Sequence, residues 1–196
     1  MKTIRALIAA LCLTPAIALG HPAEDLVMQL TNDLITALDS PEAKSDSNFV
    51  RQVVYKDVLP HIDFELMTKL TVSKHWKKAS SEQRDTLESE FRELLLNTYT
   101  KALDEYSGQT MEFLPYQDSK KDKRAEVRTL FKDSAATADI PVDYKLRQKA
   151  DGRWLIYDIE VENISLVRGY KSEFTSQIKK GGFDGLIKAL KSKNGK

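Results

Sequence analysis

The sequence predicts an α+β protein whose N-terminal and C-terminal helices pack around a twisted, mainly antiparallel, four-stranded sheet. Apolar residues recur at helical spacing through the first half of the chain, and from Gln109 they alternate with polar residues, as in half-buried strands. Helical spacing then returns near the C-terminus. The strong hairpin signal Asp151-Gly152 lies within the alternating region, which places an antiparallel pair there.

The first twenty residues differ in composition from the rest. Lys2 and Arg5 form a basic start, a short apolar run follows, and small residues then stand at signal-peptidase spacing. This order is typical of a secretory signal peptide, and the apolar run is too short for a membrane-spanning helix. We therefore predict a signal peptide over residues 1–20 and a single α+β domain over residues 21–196.

Cleavage would remove Cys12, the one cysteine, so the mature protein would rely on packing rather than on disulfides. It would also remove Lys2 and Arg5 and no acid, which changes the net charge from +1 to −1. That balance gives no electrostatic case for binding nucleic acid. No second apolar run is long enough to span a membrane, so we expect a soluble mature protein.

Amphipathic helices account for the first half of the mature chain. Leu26, Leu30, Leu34 and Leu38 recur every four residues and define the first helix. The second covers NFVRQVVYKDVLPHI, and Pro60 is expected to end it.

Two further helices carry recognisable start signals. Asp63 stands where a side chain caps the helix over DFELMTKLTVSKHW. Ser80 and Gln83 have capping-box spacing at the start of a long helix with a wide apolar stripe. Gly108 is expected to end that helix.

The strand candidates are TMEFLPY, AEVRTLFKD and the two arms of a hairpin around Asp151-Gly152. If these two residues form the turn, one face of the hairpin is apolar and includes Leu155. The other face is more polar, with Lys145 opposite Asp158. The predicted apolar pairs are Leu146–Tyr157, Tyr144–Ile159 and Val142–Val161.

Two C-terminal helices are expected after the hairpin. The first covers SLVRGYKSEFTSQIKK, and Gly181-Gly182 should separate it from the second, FDGLIKALK. Both carry apolar stripes that can cover the sheet.

Residue patterns for catalysis are weak. The predicted mature chain has no cysteine nucleophile, no G-x-S-x-G serine and no Gly-rich phosphate loop. His61 and Asp63 could ligate a metal or act as an acid–base pair, but helix capping explains Asp63 better. Asp158 could be a general base in an aromatic-lined sheet, although the register favours an ion pair with Lys145. We predict no enzymatic activity, no metal and no cofactor.

The stretch WLIYDIEVENISLVRGYKSEF holds more large apolar side chains than a two-layer domain of this size needs. Such stripes usually form core, and they also suit the wall of a cavity for an apolar ligand. An exported adaptor without a ligand and a small enzyme on a cone-shaped α+β scaffold therefore remain alternatives to a protein that binds an apolar ligand.

Three segments resemble the MlaC family, the periplasmic phospholipid-binding components of the Mla lipid transport system, also known as toluene-tolerance proteins. They are VLPHIDFELMTKLTVSKHWKKASSEQRDTLESEFRELLLNTY, WLIYDIEVENISLVRGYKSEF and GGFDGLIKALKSK. The resemblance runs from about Val50 to Lys193. Ser73 and Asn163 stand where the family has glycine, and asparagine tolerates the left-handed backbone of a turn.

The resemblance implies a deep cavity between helices and sheet that holds phospholipid acyl chains as cargo. It implies a periplasmic carrier that exchanges lipid between an outer-membrane lipoprotein complex and an inner-membrane ABC transporter complex with its membrane-anchored substrate-binding subunit. Such a carrier would maintain outer-membrane lipid asymmetry, and we expect it to be a monomer. Apolar positions on the sheet face and helix stripes are the predicted lipid-binding residues: Val53, Met67, Leu70, Phe91, Leu95, Tyr99, Tyr144, Leu146, Tyr157, Ile159, Val161, Tyr170 and Phe174.

Overall fold

The computed structural model describes residues 20–46, 48–103 and 105–196. It confirms the α+β class, with helices before and after an antiparallel sheet. The predicted signal peptide, apart from Gly20, lies outside the described residues.

The N-terminal helices are α1 (Pro22–Leu38), α2 (Pro41–Ser45) and α3 (Phe49–Val53). α1 and α2 each begin with a proline, whose fixed φ and missing N–H suit the first helical turn. α3 continues into a π-helical turn over Val54–Val58 and then into a 3₁₀ turn over Leu59–His61. Pro60 lies in this last turn, and because it has no backbone N–H it cannot continue α-helical hydrogen bonding.

The central helices are α4 (Phe64–Val72), a 3₁₀ segment over Ser73–Lys78, and α5 (Ser81–Leu103). The predicted capping box before α5 is confirmed. The backbone N–H of Gln83 donates to Ser80 Oγ, the backbone N–H of Ser80 donates to Gln83 Oε1, and both distances are 3.1 Å. These local bonds fix where α5 begins.

Five strands form one antiparallel meander in chain order, one more strand than the four predicted. The additional strand, β5, has two residues and follows a tight turn at Glu162-Asn163, where φ is 50° and 65°. Two positive φ values are typical of two-residue hairpin turns. The strands are β1 (Thr110–Phe113), β2 (Arg124–Lys132), β3 (Ile140–Gln148), β4 (Trp154–Val161) and β5 (Ile164–Ser165).

The predicted hairpin register is confirmed in one half and wrong in the other. The pairs Val142–Val161, Tyr144–Ile159 and Lys145–Asp158 are present. A β-bulge follows, so that Leu146 lies opposite Ile156, and Tyr157 is the extra residue. Because side chains alternate along a strand, this extra residue brings Ile156 to the same face as Ile159.

The last helix, α6 (Leu166–Lys193), contains the two predicted C-terminal helices joined at a kink. Gly182 has φ 65° and ψ −163° there, a conformation that is open essentially to glycine alone. Ser165 caps the start of α6 by accepting from the backbone N–H of Arg168 at 3.0 Å.

The buried apolar residues form separate clusters instead of one continuous core. One cluster joins α4, α5 and α6 around Phe91 and Phe174, whose rings meet edge to face at 5.2 Å. A second joins α1 to the sheet through Val27, Val127 and Leu146. The space between the clusters is the cavity described below.

Candidate functional site

A cavity of about 920 Å³ lies between the sheet and the surrounding helices. This volume is near the upper end of the roughly 300–1,000 Å³ usual for ligand pockets. Its helical wall consists of Val27, Leu30, Thr31 and Leu34 from α1, Val54, Val58, Leu59, Ile62, Phe64 and Met67 from the segment around α4, Leu95, Leu96, Tyr99, Thr100 and Leu103 from α5, and Leu166, Gly169, Tyr170 and Glu173 from α6. Its sheet wall consists of Phe131, Val142, Tyr144, Ile156, Ile159, Val161, Ile164 and their neighbours Glu162 and Ser165.

The cavity wall is almost entirely apolar. Glu162 and Glu173 are the charged members of the wall among the residues that the structure describes. Glu162 is exposed, and Glu173 accepts from Lys193 Nζ at 2.5 Å. Such a wall suits hydrocarbon, because a buried ion would find no counter-charge there.

Exposed apolar side chains mark where the cavity opens. Tyr99, Val161 and Ile164 line the cavity and are 46%, 43% and 71% exposed. They come from α5, β4 and β5, and we infer from their exposure that the cavity opens beside them. We call these three residues the rim.

Seven of the thirteen residues predicted to bind lipid line the cavity. They are Met67, Leu95, Tyr99, Tyr144, Ile159, Val161 and Tyr170.

The other six lie outside the cavity wall. Three of them are completely buried in the hydrophobic core. Phe91 and Phe174 belong to the cluster between α4, α5 and α6, and Leu146 belongs to the cluster between α1 and the sheet. Leu70 is exposed on the surface of α4, and Val53 lies half-buried on α3. Tyr157, the bulge residue, packs beneath the Arg124 guanidinium, which is 4.7 Å from the ring centre.

Sequence reasoning missed the contribution of α1 and of Ile156. The signal for α1 was present, because Leu30 and Leu34 belong to the stripe that defines that helix. Ile156 carried no such signal, since the unbroken register assigned it to the opposite face.

Asp63 of the LPHIDF segment ties α4 to the sheet. It is buried, and its carboxylate accepts from the backbone N–H of Leu66 at 3.1 Å and from Arg147 Nε of β3. Its own N–H donates to the carbonyl of Ile156 at 2.7 Å. The predicted cap is confirmed, and these bonds hold the adjacent residues Ile62 and Phe64 against the cavity.

Asp158 does not form the predicted ion pair with Lys145. It is buried and accepts from Ser165 Oγ at 2.6 Å and from the backbone N–H of Val167 at 3.0 Å, so it anchors the start of α6. Lys145 instead donates to Glu160 at 2.6 Å. The first turn of α6 has N–H groups without helical acceptors, and the Asp158 carboxylate accepts from one of them, so this anchor takes the place of the predicted ion pair.

Some hydroxyl groups in the cavity wall have hydrogen-bond partners within the protein, and others do not. Thr100 Oγ1 donates to the Leu96 carbonyl at 2.6 Å, and Ser165 donates to Asp158. The Tyr144 hydroxyl makes no hydrogen bond to any described residue, and burial raises its pKa to about 12.

Within the ranges given above, the structure contains no helix with the length and hydrophobicity needed to cross a bilayer.

Known proteins resemble this chain over most of its length. It is 25% identical over 165 residues to the intermembrane phospholipid transport system binding protein MlaC of Haemophilus influenzae, covering 83% of this chain and 77% of that protein. It is 25% identical over 163 residues to the toluene tolerance protein ttg2D of Pseudomonas putida, covering 82% and 74%. These names describe binding, transport and tolerance, in agreement with the prediction that the chain is not an enzyme.

A solved structure also matches. It is that of a phospholipid-binding protein from Ralstonia solanacearum in complex with a phospholipid, with a TM-score of 0.80 and 28% sequence identity, covering 89% of this chain and 98% of the other. The family model described as "MlaC protein" matches residues 28–192. The chain therefore belongs to the MlaC family.

Proposed function

We propose that this protein is a periplasmic phospholipid carrier, exported by a signal peptide over residues 1–20. The observation that carries the proposal is the apolar cavity of about 920 Å³ with an exposed apolar rim. The phospholipid-bound relative from Ralstonia solanacearum supports the same class of ligand.

Water is the barrier that such a carrier overcomes. Burying a methylene group is worth about 0.8 kcal/mol, so two chains of roughly sixteen carbons represent on the order of 25 kcal/mol gross. Lipid in a bilayer is already out of water, and its transfer into a dry apolar cavity can be nearly neutral. The headgroup stays at the rim, where the described wall offers no basic side chain to hold it tightly.

The acyl chains contact the apolar wall in this proposal. The predicted residues that lie there, together with the α1 residues and Ile156, form the binding surface. We do not extend it to the six predicted residues that lie outside the wall.

The direction of net lipid transport comes from partner proteins, because lipid exchange between a bilayer and the cavity is nearly neutral in free energy and favours neither direction. We propose that the protein, as a monomer, meets an outer-membrane lipoprotein complex and an inner-membrane ABC transporter complex with its membrane-anchored substrate-binding subunit, and so maintains outer-membrane lipid asymmetry. Membership of the MlaC family and the transport-system name of the Haemophilus influenzae relative support this proposal.

The primary test uses protein purified from its own periplasm without detergent. Extraction with organic solvent and mass spectrometry should recover near-stoichiometric diacyl phospholipid. Lipid-free protein that also takes no labelled phospholipid from vesicles would refute the carrier.

A pair of variants tests the position of the site. Tyr99→Asp places a carboxylate on the rim, whereas Leu70→Asp places one on another exposed helical position outside the cavity. We expect Tyr99→Asp to lower lipid uptake from vesicles at least tenfold, because a charge at the opening disfavours passage of hydrocarbon. Leu70→Asp should bind as the wild type does, and equal uptake by both variants would place the site elsewhere.

A further inference from the structure

Tyr144 stands apart from the rest of the cavity wall. Its ring lines the cavity, the residue is half-buried, and no hydrogen bond joins its hydroxyl to a described residue. Once acyl chains exclude water from the cavity, a hydroxyl in its wall is costly to leave without a partner. A phenylalanine would fill the same wall without that cost.

Three other hydroxyls in the described wall have partners or reach water. Thr100 and Ser165 donate within the protein at 2.6 Å. Tyr99 lies on the exposed rim. The Tyr144 hydroxyl, by contrast, is a donor in the sheet wall that a ligand can engage.

The position of Tyr144 relates it to a particular part of a lipid. Val142 pairs with the rim residue Val161, and Tyr144 pairs with Ile159, two residues further along both strands. Two residues along a strand span about 7 Å, so Tyr144 stands one step inside the rim. In a phospholipid whose phosphate stays at the rim, the acyl ester carbonyls follow after only a few bonds, and hydrocarbon fills the cavity beyond them.

We propose that the Tyr144 hydroxyl donates a hydrogen bond to an acyl ester carbonyl of the bound lipid, so that the cavity prefers ester-linked to ether-linked phospholipids. This inference rests on the proposed carrier function and assigns it a specificity determinant. The ester carbonyl is a strong acceptor, whereas an ether-linked lipid has a methylene group in place of that carbonyl and leaves the phenol poorly satisfied.

The test compares two synthetic lipids that share headgroup and chain length, one diacyl and one dialkyl, binding from vesicles to delipidated full-length mature protein. The wild type should favour the diacyl lipid by about threefold to tenfold, the range expected for one hydrogen bond. Tyr144→Phe keeps the ring, and its preference should fall to near one, chiefly through weaker binding of the diacyl lipid. Tyr157→Phe removes a hydroxyl that lies outside the cavity wall and should keep the wild-type preference.

The results separate this inference from the carrier proposal. If Tyr144→Phe binds lipid with the wild-type preference, the assignment of Tyr144 is wrong and the carrier stands. If the wild type binds neither lipid, both proposals fail.

A second measurement does not depend on folding of the variant. Infrared spectra of wild-type protein loaded with a ¹³C-carbonyl diacyl lipid should show an ester band shifted to lower frequency than the same lipid in a dry apolar solvent. An unshifted band would overturn the inference.

Discussion

Asp63 and Asp151 are both paired with arginines, yet the two pairs occupy different environments. Asp63 is almost completely buried and also caps α4, and its partner Arg147 has a side chain that is 25% exposed. Asp151 lies in the hairpin turn, where it and Arg153 are both largely exposed. A charge that loses its partner in a buried setting is costly, whereas an exposed pair contributes little.

We therefore expect Asp63→Asn to lower the free energy of unfolding by about 2–3 kcal/mol, because the amide keeps the cap but leaves Arg147 without its counter-charge. Asp151→Asn, the control, should change it by less than about 1 kcal/mol. Chemical denaturation of both variants measures the difference. Equal losses would show that the Asp63–Arg147 pair is not a specific tie between α4 and β3.

At the scale of elements, local signals predicted the starts of helices well and predicted the face of β4 poorly. Caps such as Asp63 and the Ser80–Gln83 box depend on residues three apart, so their chemistry is complete in the sequence. The bulge at Tyr157 depends on how β4 meets the 3₁₀ turn and the start of α6, which no strand pattern contains. Because of this one extra residue, Ile156 lines the cavity in place of the predicted Tyr157.

The kink of α6 gives a prediction at this scale. Gly181 and Gly182 are neighbours, and a Cβ at either would meet no atom within 4 Å. Gly182 has φ 65° and ψ −163°, whereas Gly181 is helical. Gly182→Ala should destabilise the protein by about 1–3 kcal/mol through backbone strain alone.

Gly181→Ala should instead be neutral or stabilising by up to about 1 kcal/mol, because alanine is the better helix former. Thermal unfolding followed by circular dichroism compares the two variants. Similar effects of the two changes would contradict a kink set by the conformation of Gly182.

Glu160 links β4 to β3 and to α6 through its ion pairs. Burial opposes its ionisation, but hydrogen bonds and charge from Lys145 and Arg168 outweigh that and hold its pKa below the usual 4.5. Because the pKa is lower in the folded than in the unfolded protein, the interaction stabilises fully above pH 4.5 and is lost as pH falls through the folded pKa. Glu160→Gln should therefore be less stable than wild type near pH 7, and this deficit should shrink as pH falls below 4.5.

Denaturant unfolding at a series of pH values measures that convergence. Asp151→Asn again serves as the control, since it alters an exposed pair. A deficit for Glu160→Gln that stays constant from pH 7 to pH 3 would show that the carboxylate is not held ionised by its partners.

At the scale of the whole molecule, the balance between core and cavity is the feature that sequence alone could not decide. Phe91 and Leu95 lie four residues apart on one stripe of α5, yet Phe91 fills core and Leu95 lines the cavity. Both are apolar and both are buried, so periodicity treats them alike. The difference arises from how far apart α1, α5 and the sheet are held, which is a property of the assembled fold.

If the cavity holds lipid as proposed, that lipid contributes to the stability of the protein. If the native state binds lipid and the unfolded state does not, the free energy of unfolding rises by about 2.7 kcal/mol when free lipid is a hundredfold above the dissociation constant. For a chain of this length, a gain of that size raises the melting temperature by about 5–10 °C. Protein stripped of lipid should thus melt well below the loaded protein, and reloading from vesicles should restore the difference.

Ile159→Asp supplies the control for this last prediction, because it puts a carboxylate on the cavity wall at a half-buried position. Burial of that charge against acyl chains is unfavourable, so the variant should melt at one temperature with or without lipid. Differential scanning calorimetry of wild type and variant, each stripped and reloaded, gives the four values needed. If stripped and loaded wild type melt together, lipid does not fill the cavity; if Ile159→Asp still gains stability from lipid, the ligand binds at another surface.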